Sequence, residues 1–421
     1  YFTQDMPTPY STNARYIRDL FDEYYASADG NFKYEFIDPV KAETDEDKEK
    51  KKDVKEDIFG RQFRESTSIE QELQTLGIPP LQVRVNEDDS LEVKRVYMGL
   101  AIEYEGKTEV IPVVQRTETL EYDLTTIIRK MAREITPKVA FLGGHEGLDL
   151  QQDWQKVGSL LSQIYEVVPL DLTVDPTIPG DVNALVIAGP KTPLSLAEQQ
   201  AIDSYILGGG SVAFLLDSVK PKLQELQSEP AIHGLEGMLE TYGVKIEPGL
   251  VLDTECATIG IMEQRGFMRI QQPVQYPYMP IAKSLDPDHP LTRGLPQIAF
   301  PFMNPLTITA ESSDEAGGIK AEVLATSSEQ AWVQPEPYNL DPRQQWTRSM
   351  ISEQGTQNLL VSLSGNIPSH FQKGSSAAEH SARILVAGGA SFVKDEFLSK
   401  SGETFALNLM DWLLLDEALL A

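Results

Sequence analysis

Apolar residues in this chain recur either at helical spacing or in short unbroken runs of strand length. STNARYIRDLFDEYYASA (11–28) sets Ile17, Leu20, Phe21 and Tyr24 on one stripe behind a Ser11/Thr12 cap, which predicts a helix. FKYEFIDP (32–39) alternates apolar and polar positions and ends at a proline, which predicts a strand. Residues 41–57 are almost wholly charged and read as a solvated helix or loop rather than a docking surface. STSIEQELQTLGIPP (66–80) predicts a second helix, with a capping box at Ser68/Gln71 and a stop at Gly77. Three β stretches follow, LQVRV (81–85), EVKRVYMGLAIEYEG (92–106) and KTEVIPVV (107–114), and an amphipathic helix spans 118–135. The order helix, strand, helix, strand, strand, helix predicts a thioredoxin-like domain over 1–136. Ile78-Pro79-Pro80 stand where such a fold keeps a cis-proline.

After Pro137 the pattern changes to buried strands separated by helices. VAFLGGHEG (139–147), YEVVPLDL (165–172), ALVIAGP (184–190) and SVAFLLDS (211–218) are strand-like. QQDWQKVGSLLSQI (151–164) and PLSLAEQQAIDSYILGGG (193–210) are helical, the latter with a Ser195/Glu198 capping box. HGLEGMLETYGVKI (233–246) and GLVLDTE (249–255) add a helix and turn, then a strand. ARILVAGGASFV (382–393) restores a last buried strand, and a final helix covers 403–420. Strands and helices alternating in this way predict a parallel, doubly wound α/β domain over 137–421. Residues 257–380, rich in Pro, Gln and Ser, are expected to form a β-rich insertion, because Phe300, Phe302, Trp332 and Trp346 need burial.

Charge and composition remove several classes of function. The 421 residues carry 36 basic and 64 acidic side chains, a net charge of −28, so phosphate backbones are repelled and nucleic-acid binding is not expected. A single cysteine, Cys256, excludes an intramolecular disulfide, thiol–disulfide exchange and any Cys/His zinc pattern. No apolar run reaches the roughly 18 residues needed to span a bilayer. The chain opens at YFTQDMPTPY without Met or signal peptide and closes on an apolar helical tail, which reads as a piece of something longer.

The strand-to-loop break at 143–147 is the first candidate site, because α/β proteins bind ligands beyond the carboxyl ends of their strands. G-x-G-x-x-G is lacking at this break, G-x-x-x-x-G-K-[ST] occurs nowhere, and H-E-x-x-H does not follow His145-Glu146, so no cofactor and no metal are expected. Hydrolase chemistry on such a sheet needs a G-x-[SC]-x-G elbow, which is missing; Ser391 follows a strand but has no second flanking glycine. Cys256 reads as a small buried thiol, and none of His289, His370 and His380 is set in a triad pattern. Asp217 and Asp171 end buried strands at the presumed ligand edge, with turn capping the plainer role for Asp217. The candidate edge therefore comprises Gly143, Gly144, His145, Glu146, Gly189, Asp217, Gly388, Gly389 and Ser391, with no catalytic residue among them.

PKVAFLGGHEG, the block 181–217, YGVKIEPGLVLD, HPLTRGL and the stretch from RILVAGGASFV to the end together resemble the gliding-motility-type ABC transporter auxiliary family (GldG-like). The resemblance extends over nearly the whole chain, 181–217 being its most specific block. GGHEG departs from the family's Gly-His-Gly-Glu order, which loosens any carry-over to His145 and Glu146. The resemblance implies an extracytoplasmic, periplasmic segment flanked by transmembrane helices, working beside an ABC permease and ATPase and other envelope proteins. It also implies a second domain similar to class I glutamine amidotransferase-like (flavodoxin-like) folds and to a domain of an intraflagellar transport subunit, with a glycan-binding role. The reading that results is a non-catalytic scaffolding or coupling module with a glycan or peptide as candidate ligand. The alternative is a hydrolase or amidotransferase-like enzyme using loops 143–147 and 388–391.

Overall fold

The computed structural model describes residues 1–421 except 4–5, 7–9, 43, 45–46, 48–53, 57–61, 65–66, 88–89, 115–116, 118–119, 133–135, 266–267, 311–317, 352, 377–381 and 415–421. Most of the charged stretch 41–57, His380 and the last residues of the C-terminal tail thus lie outside the described residues. The chain forms two compact units, Tyr1–Ile135 and Thr136–Ala421.

In the first unit, α1 (Asn13–Ser27) buries Ile17, Leu20 and Phe21, the stripe its spacing predicts. Residues 32–38 are not a strand, although they alternate as one. Phe32, Tyr34 and Phe36 pack around Phe21 at ring-centroid distances of 5.4 to 6.0 Å, so the alternation serves an aromatic cluster. Helix α2 (Ser68–Leu76) starts one residue earlier than its sequence suggested. Thr67 is extended and caps it, in a box with Glu70, because Ser68 already has helical geometry. Two antiparallel hairpins follow, β1 (Leu81–Glu87) with β2 (Ser90–Val96) and β3 (Leu100–Tyr104) with β4 (Lys107–Ile111), before α3 (Leu120–Ala132). The cis peptide bond among the described residues is Glu336–Pro337, so neither Pro79 nor Pro80 is the cis-proline expected at that place.

The second unit is built on a ten-stranded sheet. Its parallel part comprises β5 (Lys138–Leu142), β6 (Glu166–Leu170), β7 (Val182–Ala188), β8 (Ser211–Leu215) and, far along the chain, a strand at Ala382–Ala387. Each strand presents alternate residues to opposite faces, and both faces are covered. Val139 and Phe141 join one core with α4 (Gln155–Leu161) and the C-terminal helix Lys400–Leu413. Ala140 and Leu142 join another with α5 (Leu196–Leu207) and α6 (Glu236–Tyr242). This two-sided burial explains the unbroken apolar runs of β5, β7 and β8. Across the sheet the parallel strands take the order second, first, third, fourth, fifth in chain sequence. The order therefore reverses between β5 and β7, and a crevice outside their carboxyl ends follows from that reversal.

Residues 257–380 divide between two structures. Four of their strands, Ser284–Leu285, β9 (Leu306–Ile308), β10 (Ile319–Thr326) and β11 (Asn358–Gly365), extend the main sheet; β11 runs antiparallel to the last parallel strand, β12 (Ala382–Ala387). The remainder carries the long antiparallel pair Cys256–Arg265 and Met268–Ala282 over an aromatic cluster of Tyr276, Tyr278, Phe302 and Trp332, with Trp346 partly buried. Local sequence hides the placement of β9 to β11, because their pairing is settled by distant partners and not by local propensity.

Candidate functional site

The loops after β5, β7, β8 and β12 meet at the carboxyl edge of the sheet, and each carries a residue that the sequence singled out. After β5, the Gly143 N–H donates to Leu170 O at 2.8 Å. Gly144 has φ +89°, and a Cβ there would lie 2.8 Å from Asp171 Oδ1, so glycine is required on both counts. Asp171 itself closes a turn by accepting from Thr173 N and Oγ1.

His145 is held inside the protein, only 6% exposed. Its Nε2 lies 2.7 Å from Glu198 Oε1 and its Nδ1 3.3 Å from Thr192 Oγ1. The other Glu198 oxygen accepts from Ser195 N at 2.7 Å, and Ser195 Oγ accepts from Glu198 N, completing the predicted capping box of α5. Burial pushes the Glu198 carboxyl upward, but the bonds from Ser195 and His145 outweigh it and hold the group below its ordinary range. The histidine thus ties the first loop to the start of α5. Glu146, at φ +51°, points elsewhere and pairs with Lys220 Nζ at 3.0 Å.

Asp217, at the end of β8, is 4% exposed. Its Oδ1 accepts from Ala390 N at 2.8 Å, clamping the loop after β12. Both neighbouring loops approach closely enough to exclude side chains. A Cβ at Gly189 would sit 2.9 Å from Asp217 Oδ2, one at Gly389 2.8 Å from Met303 Sδ, and one at Gly388 2.0 Å from Asn304 O. Burial raises the Asp217 pKa, against the opposing pull of the Ala390 N–H and of Lys394 and Lys191. Ser391 begins a short 3-10 turn, Ser391–Val393, and is buried. Gly189, Asp217, Gly388 and Gly389 therefore converge, with Ser391 next to them, while His145 belongs to a separate hydrogen-bonded group. Among the described residues no hydrogen bond joins His145 to Asp217 or to Ser391.

The remaining candidates occupy ordinary structural positions. Cys256 is half-buried, not buried as expected, and desolvation raises its thiol pKa. His289 accepts from Leu291 N and packs on Trp412 at 5.6 Å. His370 shares a hydrogen bond with Thr241. Among the described residues, no group of three or more His, Cys, Asp or Glu is placed to hold a metal ion. No helix among them is long and apolar enough to cross a membrane.

Gly143 also lines a cleft of about 960 Å³ between the ends of β5 and β6 and helix α4. Its lining mixes the apolar Phe141, Leu148 and Val167 with the polar Gln151, Gln155 and Ser159. Three lysines of the edge escaped notice in the sequence. Lys191, Lys220 and Lys394 each follow the end of one of three adjacent parallel strands by a few residues, a regularity visible only once those strands are known to be neighbours.

Fold and site together define a mixed α/β protein whose carboxyl edge is a set of tightly clamped loops. Residues 136–414 match the family described as an ABC-type uncharacterized transport system, and the chain belongs to that family as an auxiliary component of ABC transport. Residues 1–103 match a domain of unknown function, DUF7088. The chain is 26% identical over 366 residues to an uncharacterized protein of Borreliella burgdorferi, covering 84% of this chain and 69% of that protein. Among solved structures, the N-terminal domain of mmIFT52 aligns with a TM-score of 0.41 at 12% identity, over 66% of this chain and 97% of that one. A ThuA-like protein from Parabacteroides merdae aligns at 0.33 and 9%, over 67% and 91%.

Proposed function

We propose that the chain is the extracytoplasmic, periplasmic module of a GldG-like auxiliary subunit, which couples an ABC permease and ATPase to envelope partners without catalysing a reaction itself. The observation that carries this reading is the family match over 136–414. In this reading 1–136 is a thioredoxin-like domain without redox chemistry and 137–421 an amidotransferase-like (flavodoxin-like) domain. The order of the five parallel strands supports the second assignment. Transmembrane helices flanking the segment would anchor it, and a gliding or export system would be its setting. The cleft beside Gly143, lined by apolar side chains together with amide and hydroxyl groups, suits a peptide or glycan.

Non-catalysis is supported by the way the edge uses its polar groups. His145 is committed to Glu198 and Thr192, and Asp217 to Ala390, so neither is paired with Ser391 as a base or its orienter. The hydrolase alternative needs that pairing. Two measurements test the proposal. Crosslinking of the intact protein in its native membrane should capture the permease and ATPase; recovery of neither rejects the coupling role. The purified protein should hydrolyse no ester, amide or nucleotide, and a turnover abolished by His145→Ala would falsify the non-catalytic reading.

A further inference from the structure

The carboxyl edge carries three lysines among its carboxylates Glu146, Asp153, Asp171, Asp217 and Asp395. Lys191 lies in the loop after β7, beside the point where strand order reverses, and its N–H donates to His145 O at 2.8 Å. Lys394 ends the short turn after β12, and Lys220 follows β8. All three loops pack around Asp217, through Gly189, the residue's own strand end and the Ala390 N–H. Of the three ammonium groups, Lys220 is paired with Glu146. Among the described residues Lys191 and Lys394 form no ion pair and their side chains no hydrogen bond.

We propose that Lys191 and Lys394, with Lys220 beside them, form a binding site for an oxyanion, a phosphate or carboxylate group of a ligand, at the carboxyl edge of the sheet around Asp217. A half-buried ammonium is costly without a counter-charge, and Asp217 supplies only part of one because its Oδ1 is turned to Ala390. Lys191 feels this cost. Its pKa is pushed down by burial first and then by Lys394 and Lys220, against the pull of Asp217 and Asp153. An incoming oxyanion would remove the lysine–lysine repulsion and accept charge-assisted hydrogen bonds from both free ammonium groups. The closely fitted glycines 189, 388 and 389 hold the loops in place, so the lysines need little ordering when the ligand arrives.

The inference rests on the carboxyl edge being a binding edge, and its test is independent of the transporter. Calorimetric titration of the full chain with inorganic phosphate and, separately, with citrate at matched ionic strength should give one saturable site for at least one of them. Binding of phosphate alone assigns the site to phosphate esters, and binding of citrate alone to carboxylates. Lys191→Gln with Lys394→Gln should weaken that binding by about tenfold or more. Lys283→Gln, which removes a lysine paired with Glu255 elsewhere, should leave it unchanged. Unchanged circular dichroism in the double variant shows that loss of binding is not loss of fold; if that variant misfolds, each single substitution is expected to weaken binding on its own. No saturable site for either anion, or binding that survives the substitutions, overturns the proposal. Oxyanion binding with no capture of permease or ATPase would reject the coupling role and leave this site standing.

Discussion

His145 and Asp217 belong to one candidate edge in the sequence, yet their surroundings have opposite pH signatures, because hydrogen bonds outweigh burial at Glu198 and burial prevails at Asp217. The Glu198 carboxyl bonded to His145 has a lowered folded-state pKa. Its stabilising contribution is present above the unfolded value near 4.5 and is lost as pH falls through the folded one. Asp217 is raised, so the folded state holds its proton more tightly than the unfolded one does. Its contribution favours folding at low pH and fades as pH rises through the folded value. Glu198→Ala removes half of the capping box and leaves a buried imidazole nitrogen without its partner, and should cost about 2–3 kcal/mol at neutral pH. Denaturant titrations at neutral pH and again well below pH 4.5 should show this penalty shrinking on acidification. A penalty that does not change with pH would place its origin in packing. The sequence showed His145 and the Ser195/Glu198 cap separately. It could not show that one carboxylate serves both, because that contact spans 53 residues.

Elements whose formation is governed by local spacing were legible, and elements governed by distant pairing were not. The cap of α5, the stop at Gly77 and the apolar runs of β5, β7 and β8 follow from neighbouring residues. Helix α4 was expected from 151 but begins at Gln155, where Asp395 accepts from the N–H groups of Gln155 and Lys156. Such a cap, 240 residues away, leaves no trace in local sequence. The same holds for β10 and β11, whose place in the main sheet rests on pairing with each other and with β12. The double glycine after β12 makes the point testable. A Cβ at Gly388 would lie 2.0 Å from a backbone oxygen that cannot swing aside, whereas one at Gly180 would have nothing within 4 Å. Gly388→Ala should therefore cost about 3 kcal/mol or more by overpacking. Gly180→Ala should be neutral or gain about 0.5 kcal/mol through the unfolded chain. Chemical denaturation of the pair against the parent protein reads both. Similar stability of the two variants would mean that the loop after β12 yields, and that the clamp on Asp217 is looser than its geometry.

At the scale of the whole molecule, each compact unit has its own apolar core. Phe2, Ile17, Phe21, Met98 and Leu124 share one cluster within Tyr1–Ile135, and the two faces of the sheet in Thr136–Ala421 enclose two others. A core that closes upon itself does not need a second unit to exclude water from it, so folding should be separable. Net charge works in the same direction, since −28 over the chain makes every compact state repel itself and gives no electrostatic reason for the units to require one another. Residues 136–421 expressed alone should unfold in one cooperative transition, with the near-UV signal of packed aromatics. Its midpoint should fall within about 4 °C of the corresponding transition of the full chain, the shift that roughly 1 kcal/mol produces at this size. A fragment with helical far-UV but no near-UV signal would show that the sheet depends on the first unit for its packing. The auxiliary-family match begins at residue 136, where the second compact unit begins, so an independently folding 136–421 would make that unit the portable part of the protein. The oxyanion and partner assays could then be repeated on it, separating what the carboxyl edge binds from what the first unit adds.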